Sequence, residues 1–235
     1  MMDKRATIAA NLQRVRDQIA DAAQRAGRRP AEITLVGVTK YVDAAAARAL
    51  IDAGCHDLGE SRPQSLWEKA EALSGLPVRW HLIGHLQRNK VKRTLPHVAL
   101  FHSGDSLRLL EAVETEAALL GRTIEALLEV NISGDAAKHG FSPDELRASL
   151  PQIAGFGNVK VRGLMTMAAL EGGPERARRD FAALRELRDQ LLSDCPPAIE
   201  LSELSMGMSS DFAEAIAEGA TLLRIGSALW EGIAP

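Results

Sequence analysis

The sequence predicts an α/β protein whose residues 1–235 form one domain, a single (β/α)8 TIM barrel with an extra N-terminal helix. Three observations predict it. Short apolar runs alternate with amphipathic or alanine-rich stretches from one end of the chain to the other, as strands alternate with helices. Eight such units follow one unpaired helical segment, and eight parallel units close into a barrel. No Gly-rich dinucleotide fingerprint follows the first apolar run, which counts against the alternative of a doubly wound open sheet.

In the opening segment Ile8, Leu12, Val15, Ile19, Ala22 and Ala26 recur at three- and four-residue steps. They line one face of a helix that Gly27 stops. The run at residues 33–40 is apolar on both faces, which suits a parallel strand covered on both sides, and it ends in Lys40. Residues 44–53 are alanine-rich and helical, and a short strand follows near 57–59. A helix is expected over 63–73, a strand over 78–83, a short basic helix over 88–94 and a strand over 98–101. Asp105 is the expected cap of a helix that carries Leu109, Leu110, Val113, Ala117 and Leu120 and stops at Gly121. After a strand over 124–132, Ser142, Pro143, Asp144 and Glu145 spell a capping box with proline at the first helical position. Residues 159–164 are strand-like. Gly173 and Pro174 open a long helix with Phe181, Leu184, Leu187 and Leu191 on one stripe. The last strands are expected at 199–204 and 221–225, separated by an alanine-rich helix at 211–218.

Composition narrows the class. Hydrophobic residues make up 46% and charged residues 25%, which is ordinary globular usage and enough for a core without disulfides or metals. The formal net charge of -3 argues against non-specific DNA binding. Cys55 and Cys195 stand in no metal or redox spacing, so a reducing, cytoplasmic setting is expected. The charged start lacks the apolar stretch of a signal peptide, and no apolar run is long enough to cross a bilayer. The expectation is a cytoplasmic monomer with neither nucleic acid nor membrane as partner. Arg88, Lys90, Lys92 and Arg93 form a basic patch, read as a solvated helix face because no aromatic residues interleave.

Chemistry concentrates at three places. Alternation puts Lys40 on the same face as Val36 and Val38, so one of the two assignments of faces points all three into the barrel with Lys40 at its mouth. A partly desolvated lysine there favours the free amine, the nucleophile that forms imines with aldehydes. On position alone a solvated lysine past a strand end is the commoner reading. The segment from Leu204 to Asp211 (LSMGMSSD) and the segment from Leu223 to Ser227 (LRIGS) follow the seventh and eighth strands, where barrels commonly bind phosphate. An imine-forming lysine and a phosphate cradle on one mouth imply a phosphorylated aldehyde, either pyridoxal 5′-phosphate or a sugar phosphate.

The chain resembles the pyridoxal phosphate homeostasis protein family, single-domain barrels of fold type III related to alanine racemase. The matching segments are LVGVTK at 35–40, Gly59-Glu60-Ser61, WHLIGHLQRNK at 80–90, Gly163-Leu164-Met165, LSMGMSSD at 204–211 and EGATLLRIGS at 218–227. They run in order over nearly the whole chain. The resemblance implies that Lys40 holds pyridoxal 5′-phosphate as a Schiff base. It implies too that Ser209 and the backbone of Gly226 and Ser227 hold the phosphate, and that Arg224 lies near the pyridine nitrogen. It places His81 close to the cofactor, although an isolated histidine is as often structural, and it places Met165 and Met206 near the pocket rim. Where the family has Gly-Glu-Asn this chain has Ser61, which would need a bridging water to reach the ring. Thr39 replaces the commoner serine, and His85 stands where proline is usual.

The functional expectation is a carrier in intracellular pyridoxal phosphate homeostasis that serves apo-enzymes, without substantial turnover. The alternative is a racemase or decarboxylase of the same fold type. Racemisation needs an acid and a base on opposite substrate faces, and the sequence offers Lys40 alone. The racemase relatives carry a further β domain, whereas this chain ends after the eighth unit. A third reading, an interaction module without cofactor, conflicts with the retention of Lys40 and both phosphate loops. His56, His97, His102 and His139 were given no role for want of ligand spacing, and Glu60, Asp211 and Glu218 form no recognisable acid–base pair.

Overall fold

A computed structural model describes residues 4–135, 139–169 and 171–233. The charged start at Met1, Met2 and Asp3 and the final Pro235 lie outside the described residues. Eight strands pair in sequence order as a closed barrel: β1 (Thr34–Val38), β2 (Asp57–Glu60), β3 (Arg79–Leu82), β4 (Leu100–Gly104), β5 (Ile124–Glu129), β6 (Val159–Met165), β7 (Glu203–Ser205) and β8 (Leu222–Ile225). All pairs are parallel, and the ring closes where β1 meets β8, from Thr34 opposite Leu222 to Gly37 opposite Ile225.

The helices are α1 (Lys4–Arg25), α2 (Ala44–Asp52), α3 (Pro63–Ala72), α4 (Val91–Thr94), α5 (Leu107–Leu119), α6 (Pro143–Ile153), α7 (Gly173–Asp194) and α8 (Phe212–Ala217). The N-terminal helix α1 buries the predicted stripe of Ile8, Leu12, Val15 and Ile19 in the main core. It packs between α2 and α8 and takes the place of an eighth crossover helix, since among the described residues β8 is followed only by the 3-10 turn Ser227–Leu229. Asn11 on the same helix donates to the carbonyls of Leu229 and Glu231, tying the chain's end to its start.

Three expectations need correction. The seventh strand is confined to Glu203–Ser205. Ile199 and Leu201 are buried as predicted, but they pack as side chains ahead of the ladder. There the backbones approach so closely that a Cβ on Gly163 would lie 1.9 Å from the Glu203 carbonyl oxygen, so only glycine fits. The fourth strand runs on to Gly104, past a register shift between Phe101 and Gly104, which carries His102 into the barrel. Asp105 does not cap α5. Ser106 occupies that position without a side-chain bond to the helix backbone, and its hydroxyl instead donates to the Asp105 carboxylate, which also meets His85. The capping box at Ser142 and Glu145 is present in full.

A second, smaller core fills the barrel axis: Val36, Leu100, Leu127, Met165 and Leu222. Side chains two residues further along a strand share its face. Above four members of that plug therefore stand Val38, His102, Glu129 and Arg224, which form the next inward layer toward the carboxyl-terminal mouth.

Candidate cofactor site

Lys40 lies just beyond β1 and is exposed, with its ammonium 4.9 Å from the centre of the Tyr41 ring and no carboxylate partner among the described residues. The partial desolvation expected of it is absent: the protein leaves this side chain in water. What the protein fixes is the backbone beneath it. Thr39 is fully buried and donates from its hydroxyl to Glu60 Oε1 at 2.7 Å. Lys69 donates from α3 to the Thr39 carbonyl at 2.6 Å and forms a buried ion pair with the same Glu60 oxygen. Trp230 adds a bond from its indole N–H to the Val38 carbonyl at 2.7 Å. The strand end is thus held from two sides while the amine stays free.

Ser61, the residue after Glu60, is half-buried against Gly84. A Cβ on Gly84 would come within 2.4 Å of the Ser61 carbonyl oxygen, which explains the glycine in the Trp80–Lys90 segment.

The two loops after β7 and β8 meet as predicted. Ser209 Oγ accepts from the backbone N–H of Gly226 at 3.2 Å and of Ala228 at 3.4 Å. A hydroxyl oxygen collecting two backbone donors marks where an anionic oxygen would be received. Ala228 is the donor that the sequence did not single out; Ser227 is exposed beside it. Gly207 has φ 93°, and a Cβ there would press on Ala215 at 2.5 Å, so the turn into α8 demands glycine. Asp211 holds the turn by accepting from the Met208 N–H at 2.6 Å.

Arg224 is buried at 4% exposure, and burial lowers its pKa to about 10, against the opposing charges of Glu129 and Asp211. Its guanidinium donates to Ser205 Oγ and to the Thr166 carbonyl, and its remaining N–H groups have no protein acceptor among the described residues. Burial, reinforced by the charge of Asp105, raises Glu129 to about 7, with Arg224 and His85 opposing. His85 is 2.6 Å from Asp105 through Nδ1 and stacks on His139.

Two predicted contacts are revised. Met206 is fully buried in the main core, so it packs and has no surface to offer a ligand; Met165 belongs to the axial plug. His81 is 1% exposed and faces the barrel axis, bonded to Asp57 Oδ1 at 2.9 Å and to His102 Nε2 at 2.8 Å. It reaches Arg224 only through His102 and Ser205, which are 2.9 Å apart. Lys40, Ser61, Ser209, Gly226, Ser227 and Arg224 all lie on the mouth side of the barrel, and His81 and Met206 do not join them. The sequence reading missed His102, Ser205, Thr166 and Glu129. The signal was there for two of them: His102 and Glu129 each lie two residues past an apolar inward position.

A closed parallel barrel with an exposed lysine, a two-donor anion cradle and a buried guanidinium at one mouth belongs to the class of barrels that receive a phosphorylated ligand between strand ends. The sequence matches the alanine racemase N-terminal domain over residues 8–233. The pyridoxal phosphate homeostasis protein of Aquifex aeolicus is 41% identical over 219 residues, covering 93% of this chain and 95% of the relative. That of Pseudomonas aeruginosa is 39% identical over 226 residues, covering 95% of each. The structure of PipY from Synechococcus elongatus with pyridoxal phosphate bound matches with a TM-score of 0.84 at 37% identity, over 94% of this chain and 99% of that one. The chain belongs to the pyridoxal phosphate homeostasis protein family.

Proposed function

We propose that this chain binds pyridoxal 5′-phosphate as a Schiff base on Lys40 and carries it in cytoplasmic cofactor homeostasis, as a monomer that serves apo-enzymes without substantial turnover of its own. The observation that carries the reading is the junction of the last two loops, where Ser209 gathers the N–H groups of Gly226 and Ala228 on the same mouth as the free amine of Lys40. These residues fit the group: the cradle suits a phosphate, Lys40 suits an aldehyde, and Arg224 has N–H groups left to donate. Bound there, the cofactor supplies an aldehyde carbon and an electron-withdrawing ring. Arg224, a buried cation, would lie near the ring nitrogen, disfavour its protonation and so weaken the ring as an electron sink. Ser61 would border the ring, reaching it through a bridging water.

One observation favours the runner-up, a racemase or decarboxylase. Glu129, raised to about 7 in the inward layer, could give or take a proton near neutral pH. The discriminating experiment is incubation of the loaded protein with a panel of L-amino acids, followed by chiral and product analysis. The carrier reading expects no more than traces; turnover in the range of ~1–1000 per second would replace it with catalysis.

A further inference from the structure

We propose that Asp57, His81, His102 and Ser205 are positioning residues that form a proton-linked chain, coupling the amino-terminal end of the barrel to Arg224 at the opposite mouth. Four consecutive hydrogen bonds carry the proposal, each within 2.9 Å, running Asp57–His81–His102–Ser205–Arg224 across β2, β3, β4, β7 and β8. His81, His102, Ser205 and Arg224 are all buried, so the chain is insulated along its length. The far end is open: Asp57 and His81 both line a cavity of about 210 Å³ at the amino-terminal ends of the strands.

With both imidazoles neutral, donor arithmetic sets the proton positions. A guanidinium only donates, so Ser205 Oγ accepts from Arg224. Ser205 then spends its own proton on His102 Nδ1, which leaves the His102 hydrogen on Nε2, donating to His81 Nδ1. His81 in turn carries its hydrogen on Nε2 and donates to Asp57. In this arrangement every bond points from the cation toward the carboxylate.

One added proton reverses the middle of the chain. When His81 becomes a cation, its Nδ1–H donates to His102 Nε2, and the His102 hydrogen must move to Nδ1. Ser205 Oγ then accepts from both His102 and Arg224, and its hydroxyl hydrogen turns away. His102 stays neutral in both states, consistent with burial and the charges of His81 and Arg224 holding its pKa well below the ordinary range. The charges facing the His81 end are Asp57 and Arg79, with Glu125, Arg162, Glu200 and Glu203 around the same cavity. Facing the Arg224 end are Glu129 and Asp211. The two proton arrangements therefore present different partners to the guanidinium, selected from the far side of the barrel.

The first test needs no cofactor, and so separates this proposal from the assignment of Arg224 to the ring, on which its functional consequence rests. Nitrogen-15 histidine NMR across pH is expected to show the His102 hydrogen moving from Nε2 to Nδ1 at the midpoint where His81 gains its charge. A His102 tautomer that stays put through that midpoint overturns the chain. Asp57→Asn should lower the His81 midpoint by about one pH unit. In the loaded protein the same substitution should shift the pH profile of cofactor absorbance by about 0.4 unit or more. That shift should vanish in the Ser205→Ala background. An equal shift with and without Ser205 would show that the influence does not travel along these bonds. A protein that shows the tautomer change but no cofactor band would count against the cofactor reading alone.

Discussion

The two cations that face the mouth are held in opposite ways. Lys40 is exposed, and everything that fixes it acts on the backbone below, through Thr39, Glu60, Lys69 and Trp230. Arg224 is buried, and what fixes it acts on the side chain itself, through Ser205 and Thr166. The difference matches the roles proposed for the two residues. A nucleophile has to approach, react and be released, so its chain is left free while its origin is clamped. A guanidinium that sets the electronics of a ring has to stay in one place, so its head group is clamped and desolvated. A carrier that gives up its cofactor needs both.

The sharpest way to break this comparison is to remove, one at a time, Lys40 at the end of β1 and Lys69, which supports it from α3. Lys69→Ala strips the counter-charge from Glu60, which is fully buried and whose second carboxylate oxygen has no partner among the described residues. It should cost about 3–5 kcal/mol in urea unfolding. Lys40→Ala removes an exposed side chain and should stay within about 0.5 kcal/mol of the parent. Equal losses would mean that the amine is not free of the fold.

The second test concerns the carboxylate beside Arg224. Glu129 is raised from 4.5 to about 7, so its contribution to stability is complete below pH 4.5 and is lost as pH rises through 7. At about 1.4 kcal/mol per unit, the loss is about 3 kcal/mol. Glu129→Gln should therefore be close to neutral in urea unfolding at pH 4.5 and stabilising by about that amount at pH 8. A variant equally stable relative to the parent at both values would remove Glu129 from the account of the inward layer.

The smallest effect is expected at the phosphate cradle. Ser209→Ala removes one acceptor and one donor from a half-buried junction and should weaken cofactor binding by about 1 kcal/mol, roughly fivefold, in a fluorescence titration. Unchanged binding would move the phosphate away from the β7 and β8 loops.

Much of this was legible in the sequence. The alternation of apolar runs and helices led to the closed barrel, and the stripe from Ile8 to Ile19 led to the extra helix, because both patterns report burial directly. The meeting of Ser209 with Gly226 was legible because loop position in a barrel determines which ends converge. The environment of Lys40 was not, since exposure at a strand end depends on how neighbouring loops fold over it. Met206 was misplaced for a related reason: its segment reaches the mouth, yet its side chain turns into the core. His102 was passed over because metal-ligand spacing looks for neighbours in sequence. Its partners, His81 and Ser205, are brought to it by strand register across the axis.

The central claim is that Lys40 is the covalent anchor of pyridoxal phosphate. The most direct test is to add the cofactor, record the visible spectrum, reduce with borohydride and map the modified peptide. The account predicts a visible band that is lost on reduction, with the label fixed on the peptide that contains Lys40 and absent from Lys40→Ala. A label on another lysine, or a protein that takes up no cofactor at all, would contradict it.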